Sequence, residues 1–125
     1  MHRRGFTLIE VMLAVVLLGI TLVSIARYNG QFLHTVSTST VRIVAAEVAR
    51  ERISLVDMDP SYTTLAATWS GTQTGFPGYP NMVRTTTVSR ITGNAPPRDY
   101  TLVTVQVTEP TMGPAVDVTT VVAQP

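Results

Sequence analysis

The sequence has no cysteine, which excludes disulfide bonds, thiolate metal sites and thiol nucleophiles together. It has two histidines, His2 and His34, too few for a metal site built from several histidines. Charged residues make up 14% of the chain, below the ~25% of a typical soluble domain, and none of the basic ones is a lysine. The formal net charge of +1 disfavours a nucleic-acid binder that depends on bulk positive charge.

The longest feature that is present is an apolar run over residues 6–26, in which Glu10 is the one charged residue. As a helix this run spans ~31 Å, close to the ~30 Å hydrocarbon core of a bilayer. Arg3 and Arg4 precede the run and Arg27 follows it, a charge bias that predicts a cytoplasmic N-terminus and an outward C-terminal domain. The chain of 125 residues leaves room for one modest domain after the run.

Three interpretations of the apolar run compete. A secretory signal peptide fits the basic start, but the run exceeds the usual ~7–15 apolar residues, contains Glu10 and ends without an Ala-x-Ala site. The second interpretation is a plain transmembrane anchor. The third is a membrane helix from which a short leader is cut before the run.

Beyond Arg27 the pattern predicts an amphipathic helix that continues to about residue 58, where Pro60 forces a stop. A helix over residues 6–57 would be ~78 Å long, so its first half is expected to project from a domain of this size. The predicted apolar stripe comprises Leu33, Val36, Val41, Val44, Val48 and Leu55, flanked by Ala45, Ala49 and Val56.

The C-terminal half of the chain predicts a small β-sheet. Residues 59–81 are predicted to be a surface loop that buries the side chains of Leu65, Trp69, Phe76 and Tyr79. Strands are predicted at about residues 82–91, 100–108 and 115–123, separated by turn-rich segments. Valines alternate along the last two strands: Val103, Val105 and Val107, then Val116, Val118 and Val122. The predicted fold is therefore α+β, a long N-terminal helix packed on a small antiparallel sheet of three strands.

No catalytic or metal site is predicted. The only histidine after the leader region is His34, so a hydrolase triad has no support. Asp99, Glu109 and Asp117 are too scattered to favour a calcium site. The loop aromatics Trp69, Phe76 and Tyr79 are expected to cover a small core, with a stacking platform for DNA as the alternative.

The most informative string is Arg4-Gly5-Phe6-Thr7-Leu8-Ile9-Glu10-Val11, followed by the apolar run. It resembles the N-terminal signal of type IV pilins and of type II secretion pseudopilins: a short basic leader that ends in glycine, a phenylalanine, and a glutamate five residues past the cut. The close match covers residues 1–26. The layout of a long helix followed by a sheet extends a looser resemblance over the whole chain.

The resemblance implies a role for particular residues. Gly5 would precede the bond cut by a prepilin peptidase, which would also N-methylate the new terminus at Phe6. Glu10 would pair with the terminal amine of a neighbouring subunit, whereas without the resemblance Glu10 could equally reach the lipid headgroups. Arg3 and Arg4 would hold the leader in the cytoplasm.

The implied organisation is a leader over residues 1–5, a transmembrane and polymerisation helix over residues 6–27, and a periplasmic domain over residues 28–125. The implied place is the bacterial inner membrane, with a single pass and assembly into a filament. The implied partners are the prepilin peptidase and methyltransferase, other pilin or pseudopilin subunits, the inner-membrane assembly platform and membrane lipid. Nucleic acid is not indicated as a partner, and no cofactor or enzymatic activity is expected.

Two departures from many major pilins favour a minor pilin or a pseudopilin. The proline common in the later half of their membrane helix is absent, since position 27 is arginine, and there is no C-terminal cysteine pair. The short last strands resemble the PilV and GspI group of minor subunits. The alternative function is a single-pass anchor that presents a periplasmic module for DNA or protein capture and never polymerises.

Overall fold

A computed structural model describes residues 5–124. These residues divide into an N-terminal unit that ends at Ser37, here the helical unit, and a unit that starts at Thr38, here the sheet unit. The elements in chain order are α1 (Leu8–Asp57), a 3-10 turn (Tyr62–Thr64), α2 (Leu65–Trp69), β1 (Gly71–Gln73), β2 (Val83–Asn94), β3 (Pro97–Thr108) and β4 (Val116–Ala123). The predicted α+β class is confirmed, because the later part of α1 packs against an antiparallel sheet.

The first helix begins at Leu8, two residues after the predicted start at Phe6. The carbonyl oxygen of Thr7 accepts the first helical bonds, from the amide nitrogens of Glu10 at 3.1 Å and Val11 at 3.2 Å. Thr7 therefore stands at the N-cap. Threonine is favoured at this position because its side-chain oxygen can accept a hydrogen bond from an unpaired amide of the first turn. The helix ends at Asp57, three residues before Pro60.

The sheet has four strands in the order β1-β2-β3-β4, each antiparallel to its neighbour. The prediction of three strands is wrong, since β1 adds a fourth at the edge beside β2. The predicted loop over residues 59–81 is likewise wrong for Tyr62–Trp69 and Gly71–Gln73, which form helical turns and β1. β1 escaped prediction because it has only three residues, all exposed, and so carries no apolar alternation.

The core lies between α1 and the inner face of the sheet. Val103, Val105 and Val107 of β3 are fully buried at 0% exposure, which confirms the predicted alternation. On α1, however, the buried residues are Val41, Ala45, Ala49 and Val56. For the part of the stripe predicted to cover the sheet, Val41 to Leu55, the prediction is wrong at Leu55, which is exposed, and half right at Val44 and Val48, which are half-buried. Alanine faces the valines because its small side chain lets the helix approach the sheet closely.

Arg84 is the most buried charged residue of the sheet unit. Its guanidinium donates to the side-chain oxygen of Gln73 and, at 3.0 Å, to the carbonyl oxygen of Val48, and it lies 5.2 Å from the ring centre of Phe76. Burial lowers the pKa of Arg84, and the carboxylate of Glu51 at 3.8 Å opposes that shift. One side chain thus connects α1, β1 and the segment after β1.

A second arginine connects α1 to α2. Arg52 donates to the hydroxyl of Thr86 and to the carbonyl oxygen of Trp69, and it stacks 4.6 Å from the centre of the Trp69 ring. The indole nitrogen of Trp69 donates at 2.6 Å to Asp59, a bond that lowers the pKa of the Asp59 carboxyl. The segment after α1 is therefore fastened to the core by polar contacts as well as by burial.

Candidate functional site: the N-terminal motif and the apolar helix

The motif residues lie where the chain enters its first helix. Residues 5–7 are non-helical and exposed, and Phe6 is 83% exposed. The bond between Gly5 and Phe6 is therefore accessible as a protease requires, because a protease must hold its substrate in an extended form. Arg3 and Arg4, the predicted leader charges, lie outside the described residues.

Glu10 lies in the first turn of α1. A negative charge in that turn interacts favourably with the partial positive charge of the helix N-terminus. Phe6 and Glu10 line one shallow groove together with Val11, Ala14, Val15 and Leu18. The structure thus brings the predicted terminus and the predicted carboxylate to one side of the chain, and it leaves both accessible to a partner.

The surface of the helical unit is apolar and uncovered. The large apolar side chains from Phe6 to Ile25 are 50–83% exposed. Within the described residues, α1 is the one helix with a stretch long and apolar enough to cross a membrane, and none of that stretch is buried in the protein. A helix that is apolar all round and unburied requires lipid or other apolar helices around it.

Two polar side chains in this stretch, those of Thr21 and Ser24, bond to their own helix. The hydroxyl of Thr21 donates to the carbonyl oxygen of Leu17 at 2.6 Å, and that of Ser24 donates to Ile20 at 2.9 Å. Neither hydroxyl is then left without a partner in hydrocarbon, where an unpaired polar group costs several kcal/mol. Glu10, the one charged residue of this stretch, is exposed on the helix surface.

The other candidate side chains of the sequence have structural roles. The rings of Trp69 and Phe76 are engaged by Arg52 and Arg84, and Tyr79 packs against the core. Asp99 accepts bonds from Arg90 and Tyr62, while Glu109 accepts a bond from the Thr111 amide at 2.8 Å. Asp117 is exposed on β4. Among residues 5–124 no three histidine, aspartate or glutamate side chains are grouped as a metal site would need.

Sequence reasoning missed the two arginine clusters around Arg52 and Arg84. An arginine in an apolar strand or on the core side of a helix is the available signal, because a buried charge requires several hydrogen-bond partners. The sequence does not say which partners those are, since Gln73 and the carbonyl oxygen of Val48 meet Arg84 only in the folded chain.

Comparison with known proteins supports one assignment. Residues 1–26 match the prokaryotic N-terminal methylation motif. No curated protein matches the chain, and no solved structure does. The motif and the uncovered apolar helix support a type IV pilin-like structural subunit, a class that is generally not enzymatic. The motif also implies processing by a prepilin peptidase and assembly with other pilins.

Proposed function

We propose that this chain is a minor pilin or pseudopilin, a structural subunit of a type IV pilus or of a type II secretion filament. The observation that carries the proposal is the methylation motif over residues 1–26 on a helix whose apolar surface nothing in the chain covers. Residues 1–5 are the leader, residues 6–27 cross the inner membrane and later pack in the filament, and residues 28–125 form the periplasmic domain. The absence of a C-terminal cysteine pair and the arginine at position 27 favour a minor subunit.

The proposed chemistry needs no catalytic residue of this chain. The peptidase hydrolyses the bond after Gly5 with water, and a methyl group then passes from a sulfonium methyl donor to the amine of Phe6, which gives up one proton. The methylated amine is protonated at neutral pH and so keeps a positive charge. In the filament, that amine and the Glu10 carboxylate of a neighbour both lie among apolar helices. A charge in such surroundings is costly unless it is paired, so the two groups stabilise the correct axial position of the subunits.

Intact mass of the protein extracted from membranes tests the processing. We expect loss of residues 1–5 and one added methyl group on Phe6. Gly5→Val is the variant to compare with the wild type. It blocks access at the scissile bond and leaves the apolar helix unaltered, so its leader should not be removed. An intact leader on the wild-type chain, in cells with an active prepilin peptidase, contradicts the proposal.

Replacement of Glu10 separates a filament subunit from a simple anchor. Glu10→Gln keeps the shape of the side chain and removes its charge, so insertion is retained or improved by up to ~2–3 kcal/mol. The amount in sheared filaments, relative to the membrane fraction, should nevertheless fall, with a muted defect if the subunit occupies the filament tip. Thr21→Val is the control, since it removes a polar side chain of the same helix that bonds only to Leu17 and lies outside the motif. Equal partitioning of wild type and Glu10→Gln, both normally cleaved, favours the anchor that never polymerises.

A further inference from the structure

The two edges of the sheet are unlike. β1, at one edge, has three residues and covers only Arg84–Thr86 of β2. β4, at the other edge, has eight residues and pairs with β3 one for one from Val116 to Ala123, without a bulge. No strand among residues 5–124 pairs with the far side of β4. A long regular edge of this kind presents a row of free main-chain donors and acceptors.

β4 also lacks the features that normally prevent an edge strand from pairing with another chain. Lysine, proline and bulges are the usual protections. β4 contains none of them, and Asp117 is its one charged residue. Six of its eight residues are valine or threonine, the β-branched types that favour strands.

The core stops short at this edge. Val103, Val105 and Val107 of β3 are fully buried, whereas Val116 and Val118, which pair with Val107 and Val105 on the same face, remain half-buried. One more strand beside β4 would cover these side chains. The inner face of the sheet would therefore be fully covered at this edge only if a fifth strand lay beside β4.

The register identifies which main-chain groups are free. The amide of Gln124 donates to the carbonyl oxygen of Asp99, so even-numbered residues of β4 direct their main-chain groups toward β3. Alternate residues of a strand direct these groups to opposite sides. The amides and carbonyls of Asp117, Thr119, Val121 and Ala123 therefore face the open edge.

We propose that the open edge of β4 takes up an edge strand of a different subunit of the same filament, by main-chain hydrogen bonding. This inference rests on the proposed filament function. The added strand runs antiparallel to β4 and offers an apolar inner face to Val116 and Val118. A neutral or basic residue opposite Asp117 completes the match.

A second copy of this chain fits the edge less well. Arg42 bonds to Pro114 just before β4, and Val56 packs in the same cluster as Val122 near its end, so α1 runs alongside β4 in the same direction. Antiparallel pairing of β4 with itself requires a twofold axis through the sheet, which reverses α1 in one copy. Two chains that enter their sheet units from one membrane cannot both satisfy that arrangement.

The direction of the strands points to the kind of subunit that fits. A neighbour of the same fold and orientation pairs antiparallel to β4 through its opposite edge, the one that corresponds to β1. In this chain β1 has only three residues, too few to cover β4. The partner is therefore a different subunit with a longer strand at that edge.

Thr119→Pro in the full-length chain tests the proposal. It removes one outward amide and leaves the bonds to β3 intact, as proline at an edge position allows. Thr119→Val is the matched control, because it loses the hydroxyl contact with Thr104 and keeps the amide. We expect the fraction of Thr119→Pro in sheared filaments to fall about tenfold, equivalent to ~1.4 kcal/mol, with Thr119→Val unchanged.

Two further measurements make the outcome decisive. Thermal unfolding in detergent reports whether Thr119→Pro retains its fold. Amide hydrogen exchange on the wild-type chain should show new protection at residues 117, 119, 121 and 123 in filaments relative to detergent, a pattern independent of any variant.

Each contrary result has a distinct meaning. Wild-type incorporation of folded Thr119→Pro, or no new protection at the odd-numbered amides, overturns the inference and leaves the filament function standing. A disulfide-linked homodimer of Val121→Cys, the sole cysteine of such a chain, overturns the choice of a different subunit. A wild-type chain that keeps its leader and stays out of filaments overturns the proposed function, and this inference with it.

Discussion

The helical unit and the sheet unit are both rich in apolar residues, but they place them differently. In the helical unit the large apolar side chains from Phe6 to Ile25 are 50–83% exposed. In the sheet unit Val103, Val105 and Val107 are fully buried against α1. The comparison shows that the sheet unit supplies its own apolar surroundings, whereas the helical unit depends on lipid or on other helices for them.

Charge follows the same division. Within residues 6–37 the charged residues are Glu10 and Arg27, one near each end of the apolar run. In the sheet unit, Arg52, Arg84 and Arg90 each bond within the fold. These three arginines are therefore satisfied inside the subunit, whereas Glu10 is exposed in the first turn of α1 and is paired with another subunit only in the proposed function.

The largest expected effect comes from cutting the chain between the two units. A chain that starts at Thr38 should be soluble without detergent and should unfold cooperatively, because α1 from Val41 onward retains its contacts with the sheet. The full chain should require detergent or lipid, since its exposed apolar helix would otherwise aggregate. Light scattering and thermal unfolding provide the measurements. A start at Tyr28, which adds the exposed Phe32 and Leu33, is the comparison and should be less soluble.

The next largest effect is the loss of stability when a charge replaces a buried valine of the sheet, compared with the same change at an exposed valine. Val105→Asp buries a carboxylate with no partner in the core and should cost about 4 kcal/mol or more of the free energy of unfolding. Val121→Asp, at a side chain that is 58% exposed on the outer face, should change it by less than ~0.5 kcal/mol. Denaturant unfolding of both variants in detergent is the measurement. Equal stability of the two would mean that α1 does not cover this face of the sheet.

The elements that could be predicted from the sequence are those whose own pattern is strong. The alternation Val103-Val105-Val107 specifies a half-buried strand whatever its partners are. The face of α1 that packs on the sheet was harder, because Val44 and Val48 outrank Ala45 and Ala49 in hydrophobicity. The alanines are buried because they fit the distance between helix and sheet, which is a property of the assembled pair.

The N-terminal motif could be recognised from the sequence for a different reason, although the roles of its residues stay predictions. Gly5, Phe6 and Glu10 lie within six consecutive residues, so their spacing is visible in the sequence itself. The Arg84 cluster joins Val48, Gln73 and Phe76, which come from distant segments and meet only through folding. Local motifs can therefore be predicted from one sequence, whereas contacts between distant segments depend on packing that the sequence states only indirectly.

The smallest expected effect is a pH dependence confined to the sheet unit. Hydrogen bonds from Arg90 and Tyr62 lower the pKa of Asp99 to about 2, below the ~3.9 of an unfolded aspartate. Because the pKa is lower in the folded chain, the stabilisation is complete above about pH 4 and is lost as the pH falls toward 2. Asp99→Asn should therefore show a weaker fall of the melting temperature over that window. Asp117→Asn, on the exposed face of β4, is the control and should retain the wild-type fall. If the melting temperature of Asp99→Asn fell as much as that of the wild type, the acid sensitivity would come from another group. Asp59, which accepts a bond from Trp69, would then be the next residue to replace.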